Sequence, residues 1–224
     1  MKIYLAGMDM PGTLKVALDE GAMHLMTAFV DTGKKQAERL SKCGADWLLD
    51  SGAFSAWKKG TKITVDEYVK FLYRWKPDKY INLDVIGDAK LSSENLKALE
   101  SNGLNPIPVY HYGSEIEHLE SLIHNYSYIA LGGTVGLRKE KRKSFFDTCF
   151  DYDVDFHGLG MTDLKLMKDY PWHSVDSTTW LIGRKFNKRL TDQGQKPLIG
   201  NFTTEEKIRI NIRFLLDKEK EVEN

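Results

Sequence analysis

Short apolar segments alternate with segments of helical period along the whole chain. Eight segments have the apolar or β-branched character of buried strands: residues 2–7, 24–30, 45–50, 79–84, 105–111, 126–131, 154–160 and 172–176. Between them, apolar residues recur every three or four positions, as in Val65, Tyr68, Val69, Leu72 and Trp75. This alternation predicts a parallel sheet covered by helices.

Eight strand–helix units in 224 residues fit one compact (β/α)8 TIM barrel, with an open doubly wound sheet as the alternative. No repeat, low-complexity tract or Pro/Gly/Ser linker interrupts the pattern, so we predict a single domain over residues 1–224. Capping boxes predict helix starts at Thr64/Glu67, Ser114/Glu117 and Thr203/Glu206. The longest stretch without a period, residues 181–202, is predicted to form a functional loop.

The composition excludes several classes of protein. Apolar residues make up 42% of the chain, which is too many for a disordered chain, and the 32 basic residues balance the 32 acidic ones. Any site for a polyanion must therefore be local. Cys43 and Cys149 lie far apart and are predicted to be buried thiols, and the six histidines stand singly. We accordingly predict no metal site and no cofactor, although a metallohydrolase stays open as an alternative.

Polar residues gather where the predicted strands end. These residues are Asp50, Asp84, His111, Gly132, Gly133, His157 and Asp176. Barrel enzymes carry their catalytic groups at this end of the strands. One aspartate alone is typical of a turn, but three on one rim repel each other and indicate a site. Several carboxylates facing one cleft suit the cleavage of glycosidic bonds, and they also suit metal binding.

Other local features have a purely structural interpretation as well as a functional one. Residues 132–136 (GGTVG) form either a tight turn or a nest of amides, and Phe54 either packs or stacks on a ring. The basic run 138–143 is typical of a solvated helix face. Cations also cluster elsewhere, at Lys58, Lys59, Lys62, Arg184, Lys185, Lys188, Arg189 and Lys196, with Trp57 among them. These cations suit contact with nucleic-acid phosphates.

Six motifs in order resemble a known family. They are LLDSGAFSAW (48–57), YINLDVIGD (80–88), PVYHYG (108–113), YIALGGTVG (128–136), FHGLGMTD (156–163) and YPWHSVDSTTW (170–180). Together they resemble the tRNA-guanine transglycosylase superfamily, and most closely its short DNA-directed branch, the DpdA (deoxypurine-in-DNA protein A) proteins common in phages. The resemblance implies a barrel enzyme that exchanges guanine in nucleic acid for a 7-deazaguanine such as 7-cyano-7-deazaguanine.

The resemblance also implies roles for particular residues. Asp176 matches the nucleophile and Asp50 the general acid/base. Asp84 is implied to bind the amino-pyrimidine edge of the base, and Gly132 and Gly133 to face its carbonyl. Phe54 is implied to stack on the base, and Ser51 in the DSGAF motif to bind it. His111 stands where the tRNA enzymes have a glutamine that contacts the base. His157 stands where they have a methionine below the base.

The partners implied are DNA, single- or double-stranded, and the free 7-deazaguanine base, with a helper protein as a further possibility. The cysteine-rich zinc site of the tRNA enzymes is missing, which favours DNA over tRNA. Three alternatives stay open: the same exchange on tRNA, N-glycosylase hydrolysis, and a non-catalytic nucleic-acid-binding barrel. No leader-like or membrane-spanning apolar run is present, so we expect a cytoplasmic protein, in the host cytoplasm if phage-encoded, without a membrane partner.

Overall fold

The computed structural model describes residues 1–223 and has eight parallel strands in one sheet. The strands are β1 Lys2–Ala6, β2 His24–Ala28, β3 Asp46–Asp50, β4 Lys79–Tyr80, β5 Val109–His111, β6 Tyr128–Gly132, β7 Asp155–Gly158 and β8 Ser174–Ser177. Their order in the sheet is β4-β3-β2-β1-β8-β7-β6-β5. A parallel bridge between Ile81 and Ile107 joins the two edges. The sheet thus curls into a (β/α)8 TIM-like barrel, and the predicted fold class is confirmed.

Helices follow the strands on the outside of the sheet. They are α1 Thr13–Asp19, α2 Lys34–Leu40, α3 Ala53–Lys59, α4 Val65–Trp75, α5 Ala89–Ser101, α6 Ile116–Asn125, α7 Lys139–Cys149, α8 Leu164–Asp169, α9 Ile182–Phe186 and α10 Thr204–Glu223. Short 3-10 turns cover Phe29–Asp31 and Thr179–Leu181. The basic run at 138–143 opens α7, as predicted.

The strands bury one set of side chains on each face. In β3, Trp47 and Leu49 pack against the helices, whereas Leu48 belongs to a smaller cluster inside the barrel with Tyr4 and Met26. This alternation follows from the two-residue period of a strand. Because Asp50 is two residues beyond Leu48, it also faces the interior, at the end of the strand. The same rule places Asp176 inside the barrel on β8.

Two of the three predicted capping boxes are confirmed. The side chains of Thr64 and Glu67 bond each other's backbone amides, and those of Thr203 and Glu206 do the same. The third prediction is wrong, because α6 begins at Ile116. Its candidate cap Ser114 belongs instead to the turn after β5, where its amide donates to the carbonyl of His111 at 3.1 Å and its own carbonyl accepts from the hydroxyl of Tyr110.

Residues 181–202 do not form the predicted loop throughout. The segment contains α9 and an antiparallel hairpin of β9 Lys188–Thr191 and β10 Gly194–Pro197. The hairpin is fixed to α10 by Asn211, whose amide side chain accepts from the amide of Leu190 at 2.7 Å and donates to the carbonyl of Lys188. Of the two thiols predicted to be buried, Cys149 is buried but Cys43 is only half-buried.

Candidate active site at the mouth of the barrel

The curled sheet brings the predicted polar residues to one end of the barrel. Asp50, His111 and Gly132 are the last residues of β3, β5 and β6, and Asp84 follows β4. Asp176 lies inside β8. Parallel strands all end on the same side, so these residues surround one mouth.

The carboxyl group of Asp176 is held by one of its two oxygens. Its Oδ1 accepts a hydrogen bond of 2.7 Å from the amide of Gly160 and lies 3.5 Å from Nε2 of His157. Among residues 1–223, none donates a hydrogen bond to Oδ2, and this oxygen is not enclosed. Because the amide donor stabilises the carboxylate and the second oxygen stays open, the group is arranged as a nucleophile or a ligand for a cationic centre.

The proton affinity of Asp50 is set by burial and by nearby charges. Burial raises the pKa of Asp50 to about 7, the charges of Asp176 and Asp84 add to the rise, and the amides of Gly52 and Ser51 only partly oppose it. A carboxyl group with a pKa near neutrality can give and take a proton under ordinary conditions. Asp50 can therefore act as an acid/base, and the charge of Asp176 acts on it at the same mouth, which is the pattern of an acid/base beside a nucleophile.

Asp84 and His111 form one unit. Nε2 of His111 lies 2.9 Å from Asp84 Oδ2, while Asp84 Oδ1 accepts from the side-chain amide of Asn82 at 3.0 Å. Asp84 is only 8% exposed, whereas the side chain of His111 keeps 27% of its surface. Asp84 thus fixes the orientation of His111, and the imidazole is the more accessible partner at the mouth.

The two glycines after β6 make room for this unit. A Cβ atom on Gly132 would lie 2.8 Å from Nδ1 of His111, so only glycine lets the imidazole lie against the strand. Gly133 has a φ of +73°, a conformation that side-chain-bearing residues rarely adopt, and a Cβ there would approach the amide of Tyr112 at 3.2 Å. The GGTVG segment therefore serves the packing of His111 as well as a turn.

The remaining predicted base-binding residues lie at different depths. Ser51 is buried directly after Asp50, and His157 has no exposed surface below Asp176. Phe54 is 47% exposed in the first turn of α3. Its ring stacks on Trp57 with centroids 6.0 Å apart.

Cations border this exposed aromatic pair. Nζ of Lys58 lies 4.3 Å from the centroid of the Phe54 ring, and Lys59 pairs with Asp31 at 3.1 Å. The surface of Phe54, Trp57 and Lys58 directly follows the strand that carries Asp50. It offers ring faces and a positive charge to a neighbouring base or phosphate.

The second predicted group of cations lies on α9 and β9. Arg184, Lys185, Lys188 and Arg189 are all exposed. None of the four makes an ion pair with any other residue in the described part of the chain, and Lys185 lies over the ring of Phe186. The turn of the hairpin is held against the outer helices, because its Asp192 pairs with Lys168 of α8 and Lys218 of α10.

Sequence reasoning missed three groups behind the nucleophile. The amide of Gly160 bonds Asp176, and Tyr128 and Ser174 connect to His157 inside the barrel. The two-residue period of β6 and β8 is the signal that could have placed Tyr128 and Ser174 on the interior face. The direction of their hydrogen bonds has no signal in the sequence.

The polar groups at the opposite end of the barrel are already paired. A cavity of about 420 Å³ there is lined by residues that include His24 and Asp46. Burial raises the pKa of Asp46, but the hydrogen bonds from Lys79 and Tyr4 outweigh this effect, so the pKa is lowered. The carboxylate of Asp46 already has its hydrogen-bond partners, and we place no chemistry at that end.

Within residues 1–223, no three His, Cys, Asp or Glu side chains are grouped as a metal ion would need. Over the same residues, no helix has the length and apolar character required to cross a bilayer.

The fold and the site define a TIM-type barrel with carboxylates at its mouth, and the comparisons with known proteins extend this only as far as the fold. No protein-family model matches the chain, and no curated protein sequence matches it. A solved structure described as native KDPGal is similar with a TM-score of 0.60 at 9% identity, covering 99% of this chain and 96% of that one.

Two further structures show the same relationship. A mutant tryptophan synthase alpha-subunit from Pyrococcus furiosus matches with a TM-score of 0.59 at 12% identity, covering 96% of both chains. KGPDC from Streptococcus mutans matches with a TM-score of 0.58 at 10% identity, covering 99% of this chain and 98% of that one. At such identities the similarity establishes the barrel fold alone.

Proposed function

We propose that this protein is a base-exchanging pentosyltransferase that replaces guanine in DNA with a 7-deazaguanine such as 7-cyano-7-deazaguanine. The observation that carries the proposal is the contrast between two carboxyl groups at one mouth. Oδ1 of Asp176 accepts from the amide of Gly160 while its Oδ2 has no donor among residues 1–223, whereas Asp50 has a pKa raised to about 7 by burial and by its acidic neighbours. Glycosidic exchange with retained configuration needs this pair.

The first half of the exchange forms a covalent intermediate. Oδ2 of Asp176 forms a bond to C1′ of the deoxyribose while the bond from C1′ to N9 of guanine breaks. Asp50 gives its proton to the departing guanine, which leaves as the neutral base, and Asp50 becomes a carboxylate.

The second half reverses these roles. The incoming 7-deazaguanine gives the proton on its N9 to Asp50, its N9 forms the new bond to C1′, and the ester to Asp176 breaks. Two inversions at C1′ restore the original configuration, and the proton on Asp50 is regenerated. The two halves use and regenerate the same proton and change no oxidation state. The exchange therefore balances without a cofactor.

Recognition of the base rests on the Asp84–His111 unit. The imidazole of His111, fixed by the contact of its Nε2 with Asp84, presents Nδ1 at the mouth, and the carboxylate of Asp84 keeps further lone pairs for the N–H groups of guanine. Adenine lacks this pair of donors, and a site built to bond them rejects it by roughly 10²-fold or more.

The exposed cations support a polyanionic partner. The chain has no net charge, yet Arg184, Lys185, Lys188 and Arg189 are exposed on one side without acidic partners among the described residues. The missing cysteine-rich zinc site, noted in the sequence, favours DNA over tRNA. Access to C1′ in a duplex requires a flipped nucleotide, which costs a few kcal/mol, so single-stranded DNA is the favoured substrate.

The test is the incorporation of labelled guanine, and then labelled 7-cyano-7-deazaguanine, into single-stranded DNA, duplex DNA and unmodified tRNA. We expect incorporation into DNA that is lost in Asp176→Asn and kept in Asp153→Asn, which removes a charge from an exposed turn. Incorporation into tRNA alone would overturn the choice of polymer. Release of guanine with an abasic site would replace the transferase by a hydrolase, and DNA binding without either reaction would replace it by a binding module.

A further inference from the structure

A row of polar side chains runs through the barrel behind Asp176, and the exchange described above does not use it. The hydroxyl of Tyr128 lies 2.6 Å from Oγ of Ser174, and Oγ of Ser174 lies 2.6 Å from Nδ1 of His157. Nε2 of His157 then lies 3.5 Å from Oδ1 of Asp176. His157 and Ser174 have no exposed surface, so water does not replace these contacts.

The far nitrogen of His157, Nε2, faces Asp176. Nε2 is enclosed and makes no hydrogen bond of ordinary length within residues 1–223, so the oxygen of Asp176 is the group it faces. The ring of Tyr4 lies edge-on to the imidazole with centroids 5.9 Å apart, and it presents no partner to Nε2 there. A carboxylate oxygen is an acceptor, so an enclosed nitrogen that faces it makes an attractive contact when the nitrogen carries a proton.

The direction of the row follows from what each group can donate. Burial raises the pKa of Tyr128 to about 12, so the phenol keeps its proton. Within residues 1–223 its hydroxyl bonds no group but Oγ of Ser174, and we therefore assign the phenol as the donor to Ser174. Ser174 then donates its own proton to Nδ1 of His157, which leaves the ring proton on Nε2, pointing at Asp176. The opposite tautomer would direct an enclosed lone pair at a carboxylate oxygen, an arrangement without any donor.

We propose that His157 is a positioning residue for Asp176, held in its Nε2–H tautomer by Ser174 and Tyr128. Its N–H faces Oδ1 at 3.5 Å, beside the amide of Gly160 that bonds the same oxygen, so that Oδ2 is turned toward C1′ of the nucleotide. The catalytic part of this inference rests on the proposed function. The tautomer and the orientation of Asp176 do not depend on it.

Two substitutions of His157 separate positioning from packing. His157→Gln places an amide N–H near the position of Nε2, whereas His157→Met fills a similar volume without a donor. We expect His157→Met to lower kcat for base exchange on the order of 10²-fold with little change in KM, the loss typical of one donor to a reacting oxygen. His157→Gln should restore most of that loss. A kcat in His157→Met equal to that of the wild type would overturn the proposal.

A measurement on the wild-type protein covers the case in which the variants fail to fold. In ¹⁵N NMR spectra of histidine-labelled protein near neutral pH, His157 should show a protonated Nε2 and an unprotonated Nδ1. Tyr128→Phe serves as the matched variant that removes only the first donor, and it should shift the Nδ1 resonance. A protonated Nδ1 would overturn the proposal. The expected tautomer in a protein without base-exchange activity would instead refute the proposed function and leave the orientation of Asp176 standing.

Discussion

Replacing Asp50 by asparagine is expected to stabilise the protein more at pH 8 than at pH 5. Burial and the charges of Asp176 and Asp84 raise the pKa of Asp50 to about 7 in the folded state. In the unfolded chain an aspartate has an ordinary pKa of about 3.9. Between these two values the folded state binds more protons than the unfolded state, so this carboxyl group lowers the stability as the pH rises.

The size of the effect follows from the two pKa values. The cost of the ionised group to the folded state grows from about 1.5 kcal/mol at pH 5 to about 4 kcal/mol at pH 8. The neutral amide of Asp50→Asn removes this cost. The difference in unfolding free energy between variant and wild type should therefore be about 2.5 kcal/mol more favourable at pH 8 than at pH 5.

Urea unfolding of both proteins at the two pH values measures this difference directly, because titrating groups that do not interact with Asp50 cancel between them. Thermal unfolding should show the same trend, a change of about 5–10 °C for a chain of this length. Asp153→Asn, on an exposed turn, controls for the loss of one negative charge from the protein. An equal effect of Asp50→Asn at pH 5 and pH 8 would refute the raised pKa and with it the role of Asp50 as the proton donor.

Three further substitutions test other parts of the site. Gly132→Ala places a Cβ 2.8 Å from Nδ1 of His111, so we expect about 1–3 kcal/mol of destabilisation in urea unfolding. In a competition assay the variant should also discriminate guanine from adenine less well. An unchanged preference for guanine would contradict the role of His111. Replacing Lys188 and Arg189 by glutamine should reduce the salt dependence of DNA binding in fluorescence anisotropy titrations by one to two counterions, and an unchanged slope would remove them from the interface. Phe54→Ala should weaken single-stranded DNA binding by about 1–3 kcal/mol in the same titrations, whereas Phe54→Trp should retain it; equal affinities of the two variants would exclude stacking.

The sequence predicts the barrel well because its signals are local. A two-residue period such as that of Trp47, Leu48 and Leu49 is set by the strand itself, and the Thr64 capping box needs only the residue three positions ahead. These features do not depend on distant parts of the chain. Each therefore follows from a short stretch of sequence alone.

The parts that the sequence did not predict depend on distant contacts. The hairpin of β9 and β10 exists because Asn211, about twenty residues later, supplies its backbone with hydrogen-bond partners. Ser114 has the right spacing for a cap, but its amide donates to the carbonyl of His111 in the turn after β5. The same holds for the site, where the contact of His157 with Asp176 joins two strands. Side-chain alternation brings these residues to one face, whereas the orientation of each bond requires the folded barrel.

The covalent step is the central claim, and trapping its intermediate tests it most directly. Single-stranded DNA containing guanine is incubated with the protein in the absence of an incoming base, and the denatured mixture is examined by intact-protein and peptide mass spectrometry. We expect an adduct of the DNA on the peptide that contains Asp176, absent in Asp176→Asn and released when 7-cyano-7-deazaguanine is added. Guanine release without any protein–DNA adduct, or an adduct on another residue, would contradict the account.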